Sequence, residues 1–492
     1  MAYNHGVRVL ENPTSLVVPV EGTAGLQVII GVAPVNLAED PYNATNKPML
    51  AYSFAEASAA VGYCDNFADY NICESIDASF RVLNVAPIVL INVLDPNQHK
   101  VELAEKAYNV VDGQAVVNTF GVLKDKLVVK NGGSTLAADT DYVVTFDDNG
   151  YAVVTLVNPE GVNSLTISGV LIDPSQVEYT DIIGGYNVST GEEKGLEVIR
   201  QVFPKLQLTP GLIVCPGWSA NANVAAAIAA KCTGINGVFS CEAIVDLNTA
   251  KEGEGKYNKA AGARKYTDVK EVKEATGLVS KHLDVEWPCV KVGEKIYHAS
   301  AIKAALTAYV DASNDDVPNL SPSNKVVSIS GLCLEDGTEV ILDEQQANVV
   351  NGFGVCTFNN FSGWATWGNN TAAYPGTTDP KDRWFNCRRF FSWWGNSFIL
   401  TYHQRVDNPN DPRQVEAIVD AENVRGNSYA AQGKCAGVSV EYRAQDNTTA
   451  DVLNGSATFL THLAPYPPME DICDVLEFDP DLLAAAFEGG NA

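Results

Sequence analysis

Cys215-Pro216-Gly217-Trp218-Ser219 lies where an α/β enzyme keeps a nucleophile, directly after the apolar run Leu212-Ile213-Val214. A cysteine or serine there needs a base within hydrogen-bond reach. None of His282, His298 and His403 has a spacing that singles it out for that duty. The stretch is therefore read as a turn at a strand end, and an α/β hydrolase using Cys215 or Ser219 ranks last. Gly253-Glu254-Gly255-Lys256-Tyr257 lacks both the phosphate-loop spacing and the Ser or Thr after lysine, and reads as a mobile loop. No G-x-S-x-G, H-E-x-x-H, G-x-G-x-x-G or calcium-loop pattern occurs. The paired acids Asp147-Asp148 and Asp315-Asp316 flank turns and read as solvated loops. The eleven cysteines are scattered, with no C-x-x-C pair and no Cys/His cluster at metal-ligand spacing. Reduced, buried thiols of a protein that folds in a reducing cytoplasm are expected. The sequence thus assigns no catalytic residue, no cofactor site and no metal site, and the chain is not expected to be an enzyme.

A different chemistry gathers toward the C-terminus. Five of the seven tryptophans are there (Trp364, Trp367, Trp384, Trp393, Trp394). So are seven of the eleven arginines: Arg383, Arg388, Arg389, Arg405, Arg413, Arg425 and Arg443. The rings can form a packed core or a sugar-stacking surface, so a carbohydrate-binding or other particle-surface module is the alternative function. Arg383, Arg388 and Arg389 are placed for cation–π contacts. After Asn410 a helix is expected, with Asp411 as N-cap, Pro412 at N1 and Gln414 completing a capping box. Val415, Ile418, Val419 and Val424 form its apolar stripe, and Arg413, Glu416, Asp420, Glu422 and Arg425 cover the remainder. Ile472, Leu476 and Phe478 fall on one face of a strand interrupted by Asp474. Asp479-Pro480-Asp481 then opens a last helix carrying Leu482, Leu483, Ala486 and Phe487. Chain ends fray unless they dock on something.

At 492 residues, 46% hydrophobic and 19% charged, the chain is ordinary globular material for about two to four domains. A formal charge of −27 repels phosphate, so nucleic acid is not an expected partner. The N-terminus has no basic and apolar export signal, and no apolar run reaches the roughly 18 residues of a membrane span. No membrane insertion is expected.

The element pattern predicts an α/β (α+β) multidomain fold with extended terminal arms. Residues 1–24 form an extended N-terminal arm, in which Gly6-Val7-Arg8-Val9-Leu10 alternates weakly. Residues 25–107 are an α/β segment with buried strands at Leu26 to Ala33 and Ala86 to Leu94. Residues 108–179 lose helical periodicity and form an inserted β-sandwich or barrel, with a hairpin turn at Asp148-Asn149-Gly150. Residues 180–348 return to α/β alternation, including a helix over Glu192 to Phe203 and a β-rich stretch from Val326 to Phe358. Residues 349–492 form the C-terminal domain.

Gly395-Asn396-Ser397-Phe398, Tyr402-His403-Gln404-Arg405-Val406-Asp407, the Asp411 helix and Leu476-Glu477-Phe478-Asp479-Pro480 occur in an order that resembles contractile tail sheath proteins. His5-Gly6-Val7-Arg8-Val9 and the Val28 to Val35 strand are similar too, more weakly. The resemblance implies a structural subunit of stacked hexameric rings around an inner tail tube, capped by baseplate and tail terminator proteins. It implies assembly in the host bacterial cytoplasm and residence in a virion tail or a phage-tail-like particle. It implies strand exchange between subunits through Gly6, Val7, Arg8, Val9 and Leu10 and through Ile472, Leu476 and Phe478. It places the Asp411 helix against the tube, with Arg413, Glu416, Asp420 and Arg425 as contacts. Contraction would be a shift between two packings of one polymer, with no nucleotide needed.

Overall fold

The computed structural model describes residues 20–21 and 23–488. The arm residues Gly6 to Leu10 lie outside the described residues.

The body is built on one six-stranded sheet. Its strands are β1 (Gln27–Gly31), β2 (Met49–Ala51), β3 (Ile88–Asn92), β4 (Leu212–Val214), β5 (Glu242–Asp246) and β6 (Leu283–Glu286), in the order β6-β5-β4-β1-β3-β2. All neighbours run parallel except β2, which is antiparallel to β3 at the edge. Every residue of β1, β3, β4, β5 and β6 is buried. Alternation sends Val28, Ile30, Ile213 and Val245 into one core and Ile29, Leu90, Val214 and Ile244 into the other. Continuous apolar runs are what a parallel sheet covered on both faces requires. The segments expected separately at 25–107 and 180–348 thus share one sheet.

Between β3 and β4 the chain leaves to form a β-sandwich with its own core, including Val117, Val129, Val154 and Ile167. Its two sheets have three and four strands. The sandwich starts at Lys100, earlier than expected, because the strand Lys100–Asn109 pairs along Ser164–Ile172 from Lys100↔Ile172 onward. The Asp148-Asn149-Gly150 turn joins Tyr142–Phe146 to Ala152–Leu156, and Gly150 takes φ +76°.

The stretch Glu192 to Phe203 is not one helix. It is a short strand, a 3-10 segment and the start of Val202–Leu206, because Gly195 sits at φ +58° where its Cβ would collide with the Asp181 and Ile182 carbonyls. The expected boundary at 349 cuts the helix Glu344–Gly352. Val350, Val355, Phe358 and Ala372 pack into the body's core. The Asp343/Gln346 capping box that starts this helix is legible in the sequence but sits inside the stretch expected to be β-rich.

Helix α1 (Ala299–Ala312) crosses the sheet and carries Lys303, a fully buried lysine. Its Nζ lies 3.2 Å from Glu286 and 3.8 Å from Asp284, both also fully buried. Asp284, Glu286 and Cys356 bring their donor atoms within 4.8 Å of one another, a set able to hold a small cation. The Lys303 ammonium supplies the positive charge there. Nothing local in the sequence signals this cluster, because its members come from β6, α1 and a distant loop.

The C-terminal domain is helix α2 (Phe385–Tyr402), helix α3 (Pro412–Ala431) and a hairpin of β7 (Gly437–Glu441) and β8 (Leu460–Ala464). A final helix, α4 (Pro480–Glu488), follows. Arg389 of α2 forms a buried two-contact ion pair with Asp311 of α1, one contact measuring 3.0 Å. That pair fastens this domain to the body.

Candidate assembly surface

The nucleophile candidates make no catalytic constellation. Burial pushes the Cys215 thiol well up, with the Asp246 charge adding to it. Ser219 Oγ donates to Asp246 at 3.0 Å, and Asp246 also accepts from Ser300 Oγ at 2.6 Å. His298 spends Nδ1 on buried Glu74 at 2.9 Å. Burial alone would lower His298, but Glu74 outweighs it and lifts the imidazole to about 9. A folded value above the roughly 6.5 of free histidine means stability fully present below that pH and lost as pH rises through 9. Thermal unfolding should therefore show a loss on the order of 3 kcal/mol between about pH 6.5 and 9.5. Glu74→Gln should flatten that slope; an unchanged slope would refute the pairing as its source.

Two of the five tryptophans are buried and the other three half-buried, so they form no exposed stacking surface for a sugar. Trp384 and Trp394 are buried, and their faces are covered by Arg383 at 3.9 Å and Arg425 at 3.7 Å. Trp393 packs edge-on against Tyr429 at 5.4 Å.

Helix α3 begins as expected. The Asp411 carboxylate accepts from the N–H groups of Arg413 (2.8 Å) and Gln414 (3.1 Å). The capping box is not reciprocal, because Gln414 Nε2 turns to the Pro409 carbonyl. The inward stripe also differs from the expected one. It continues through buried Glu422 and Gly426, while Val424 is exposed. Glu422 accepts from Tyr402 Oη at 3.0 Å and pairs with Arg425 at 3.1 Å. Arg425 therefore belongs to the packed interface, whereas Arg413, Glu416 and Asp420 face outward. Gly426 permits a close approach, since a Cβ there would stand 2.5 Å from that of Val438.

That approach closes one hairpin edge. Asn423 donates Nδ2–H to the Val440 carbonyl (3.0 Å) and accepts the Val440 N–H (2.8 Å), standing in for a strand neighbour. Among the described residues no strand pairs with the other edge, that of β8.

From β8 the chain enters Pro465-Tyr466-Pro467-Pro468 and is clasped. Glu470 pairs with Arg383 at 2.6 Å, while Arg383 Nε donates to Asn370 at 2.9 Å and its guanidinium stacks on Tyr374 and Trp384. Beyond Glu470 the described tail, residues 471–487, is exposed throughout. Residues 471–479 form no strand in the isolated chain, and Ile472, Leu476 and Phe478 are 79%, 88% and 76% exposed. Cys473 is exposed as well, unlike the buried thiol expected of it.

The N-terminal root is held too. Val20–Glu21 runs parallel to Val85–Ala86. Asp316 accepts the N–H groups of Thr23 (2.8 Å) and Ala24 (2.7 Å), and Asp315 pairs with Lys434 at 3.1 Å. Asp316 is thus not merely solvated as expected, whereas Asp315 remains 82% exposed beside its lysine. Both sit in the left-handed region, φ +58° and +57°, which aims their carboxylates at the two partners.

No protein-family profile matches the sequence. The tail sheath protein of Burkholderia phage BcepMu is 24% identical over 501 aligned residues, covering 99% of each chain. The chain is related to tail sheath proteins along nearly its whole length. The major tail sheath protein of Serratia phage KSP20 is 25% identical across 39% of this chain and 47% of its own. The fold is similar to that of chains from two contractile injection systems. A chain of the anti-feeding prophage baseplate matches with TM-score 0.57 and 14% identity over 97% of this chain and 100% of that one. The sheath complex of the extracellular contractile injection system PVC, in its contracted state, matches with TM-score 0.56 and 15% identity over 98% and 99%.

Proposed function

We propose that this chain is the structural subunit of a contractile tail sheath, a non-enzymatic protein that polymerises as stacked hexameric rings around an inner tube and shortens to drive that tube through a target envelope. The exposed, alternating tail at Ile472 to Phe478, in a chain whose β8 edge is unpaired among the described residues, carries the proposal. Strand addition joins main-chain hydrogen bonds to side-chain pockets, and β8 offers the edge. Ile472, Leu476 and Phe478 from one subunit, and Gly6, Val7, Arg8, Val9 and Leu10 from another, extend that sheet.

The outward charges Arg413, Glu416 and Asp420 on α3 face the tube, in contacts that break cheaply because exposed ion pairs are worth only about 0–1 kcal/mol. Arg425 serves this surface indirectly, by fixing α3 on Trp394. Baseplate and terminator proteins close the polymer's ends, assembly takes place in the bacterial host cytoplasm, and the product is a virion tail or a phage-tail-like particle. Purified protein concentrated and viewed by negative-stain microscopy should form rings or ordered tubes. A monodisperse monomer at high concentration would overturn the proposal.

A further inference from the structure

The helix Val269–Thr276 borders a groove of about 430 Å³ floored by Leu278, Phe353, Ala372 and Tyr374. Val279 stands 71% exposed at its rim, next to exposed Lys270. Lys273 is buried in its wall and donates to the carbonyls of Phe353 (2.6 Å), Ala372 (2.8 Å) and Tyr374 (2.9 Å). All three acceptors are neutral, so the groove sets positive charge over an apolar floor. Glu274 is the rim's acid, 3.9 Å from Lys270.

Helix α4 has the opposite character. Leu482, Leu483 and Phe487 share one face and are 72%, 50% and 75% exposed. Asp479 and Asp481 sit at its start, and no lysine or arginine follows Arg443 in the chain. The groove along α3 has an apolar floor as well, Val415, Val419 and Val440, but its rim is Asp411, Glu416, Asp420 and Glu441. That rim repels an acidic helix.

We propose that α4 of a second copy seats in the Lys270/Lys273 groove, apolar face down, with Asp479 and Asp481 toward Lys270. This rests on the exchange of tails between subunits and names where the exchanged tail ends. Helix-in-groove docking uses such anchors one turn apart.

The test is a mixed cross-link in a Cys473→Ser background. One full-length chain carries Val279→Cys and the other Leu483→Cys. Tubes assembled from the mixture and oxidised should yield a covalent dimer of the two chains on a non-reducing gel. Lys270→Glu should cut its yield several-fold, and adding Asp481→Lys should restore it. Tubes without the cross-link overturn the docking and spare the sheath proposal. A chain with both cysteines that closes only on itself overturns the second copy as occupant. If the unmodified chain forms no tubes, the sheath proposal fails and the docking falls with it.

Discussion

Lys303→Met is expected to cost about 3–5 kcal/mol of folding stability at neutral pH, the scale for stripping one partner from a buried ion pair. Burial already raises the Asp284 and Glu286 carboxyls, against the pull of Lys303. Without the ammonium, both acids must bind protons or remain as unpaired buried charges. A folded value raised above the unfolded one gives stability at low pH that is lost as pH rises. The variant should therefore be more stable near pH 5 than near pH 8, measured by urea unfolding at both. Adding Asp284→Asn and Glu286→Gln should recover part of the loss at pH 8, since no charge then remains to be paired. Wild-type stability of the single variant at pH 8 would mean that the cluster contributes nothing.

Deleting residues 471–492 should abolish tube formation while leaving the fold intact. The cut spares the Arg383–Glu470 clasp, and the large apolar side chains it removes are exposed in the isolated chain. Unfolding stability should stay within about 0.5 kcal/mol of the parent, as for surface changes generally. Assembly should fall far more. Burying Ile472, Leu476 and Phe478 on a neighbour is worth on the order of 5 kcal/mol before ordering costs. Sedimentation and microscopy decide the matter, and normal tubes from the shortened chain would end the tail's assigned role.

The parts legible in the sequence were those with a local cause. Leu26 to Ala33 announced a central strand because a sheet covered on both faces needs an unbroken apolar run. Asp148-Asn149-Gly150 announced a hairpin because the turn needs positive φ. Asp411 announced its helix because a carboxylate can accept two free N–H groups. Helix α2 stayed hidden because it is packed on most sides: Asn386, Arg389 and Asn396 are buried along with Phe390 and Trp394, which blurs the 3.6-residue period. Glu422 looked like a surface residue because what lets it be buried, the Arg425 countercharge and a hydrogen bond from Tyr402, comes from the folded packing. The single sheet and the Lys303 cluster were illegible for another reason. Both join residues far apart in the chain, and periodicity carries no information on pairing at that range. For the candidate assembly surface, the sequence singled out Ile472, Leu476 and Phe478 but not the Arg383–Glu470 clasp or the closed β7 edge.

The placement of the two arm roots has a mechanical consequence. A pull on the chain at Thr23 and Ala24 reaches Asp316, which accepts both of their N–H groups. A pull on the tail reaches Arg383 and then α2, whose Arg389 grips Asp311. Both forces thus converge at the end of one helix, α1, and the segment just after it. With subunits joined through both ends as proposed, tension between them would take this short route. The β-sandwich lies outside that route, although Leu123 and Ile172 root it in the body's core and Tyr42 Oη donates to Asp125 on its surface at 2.9 Å.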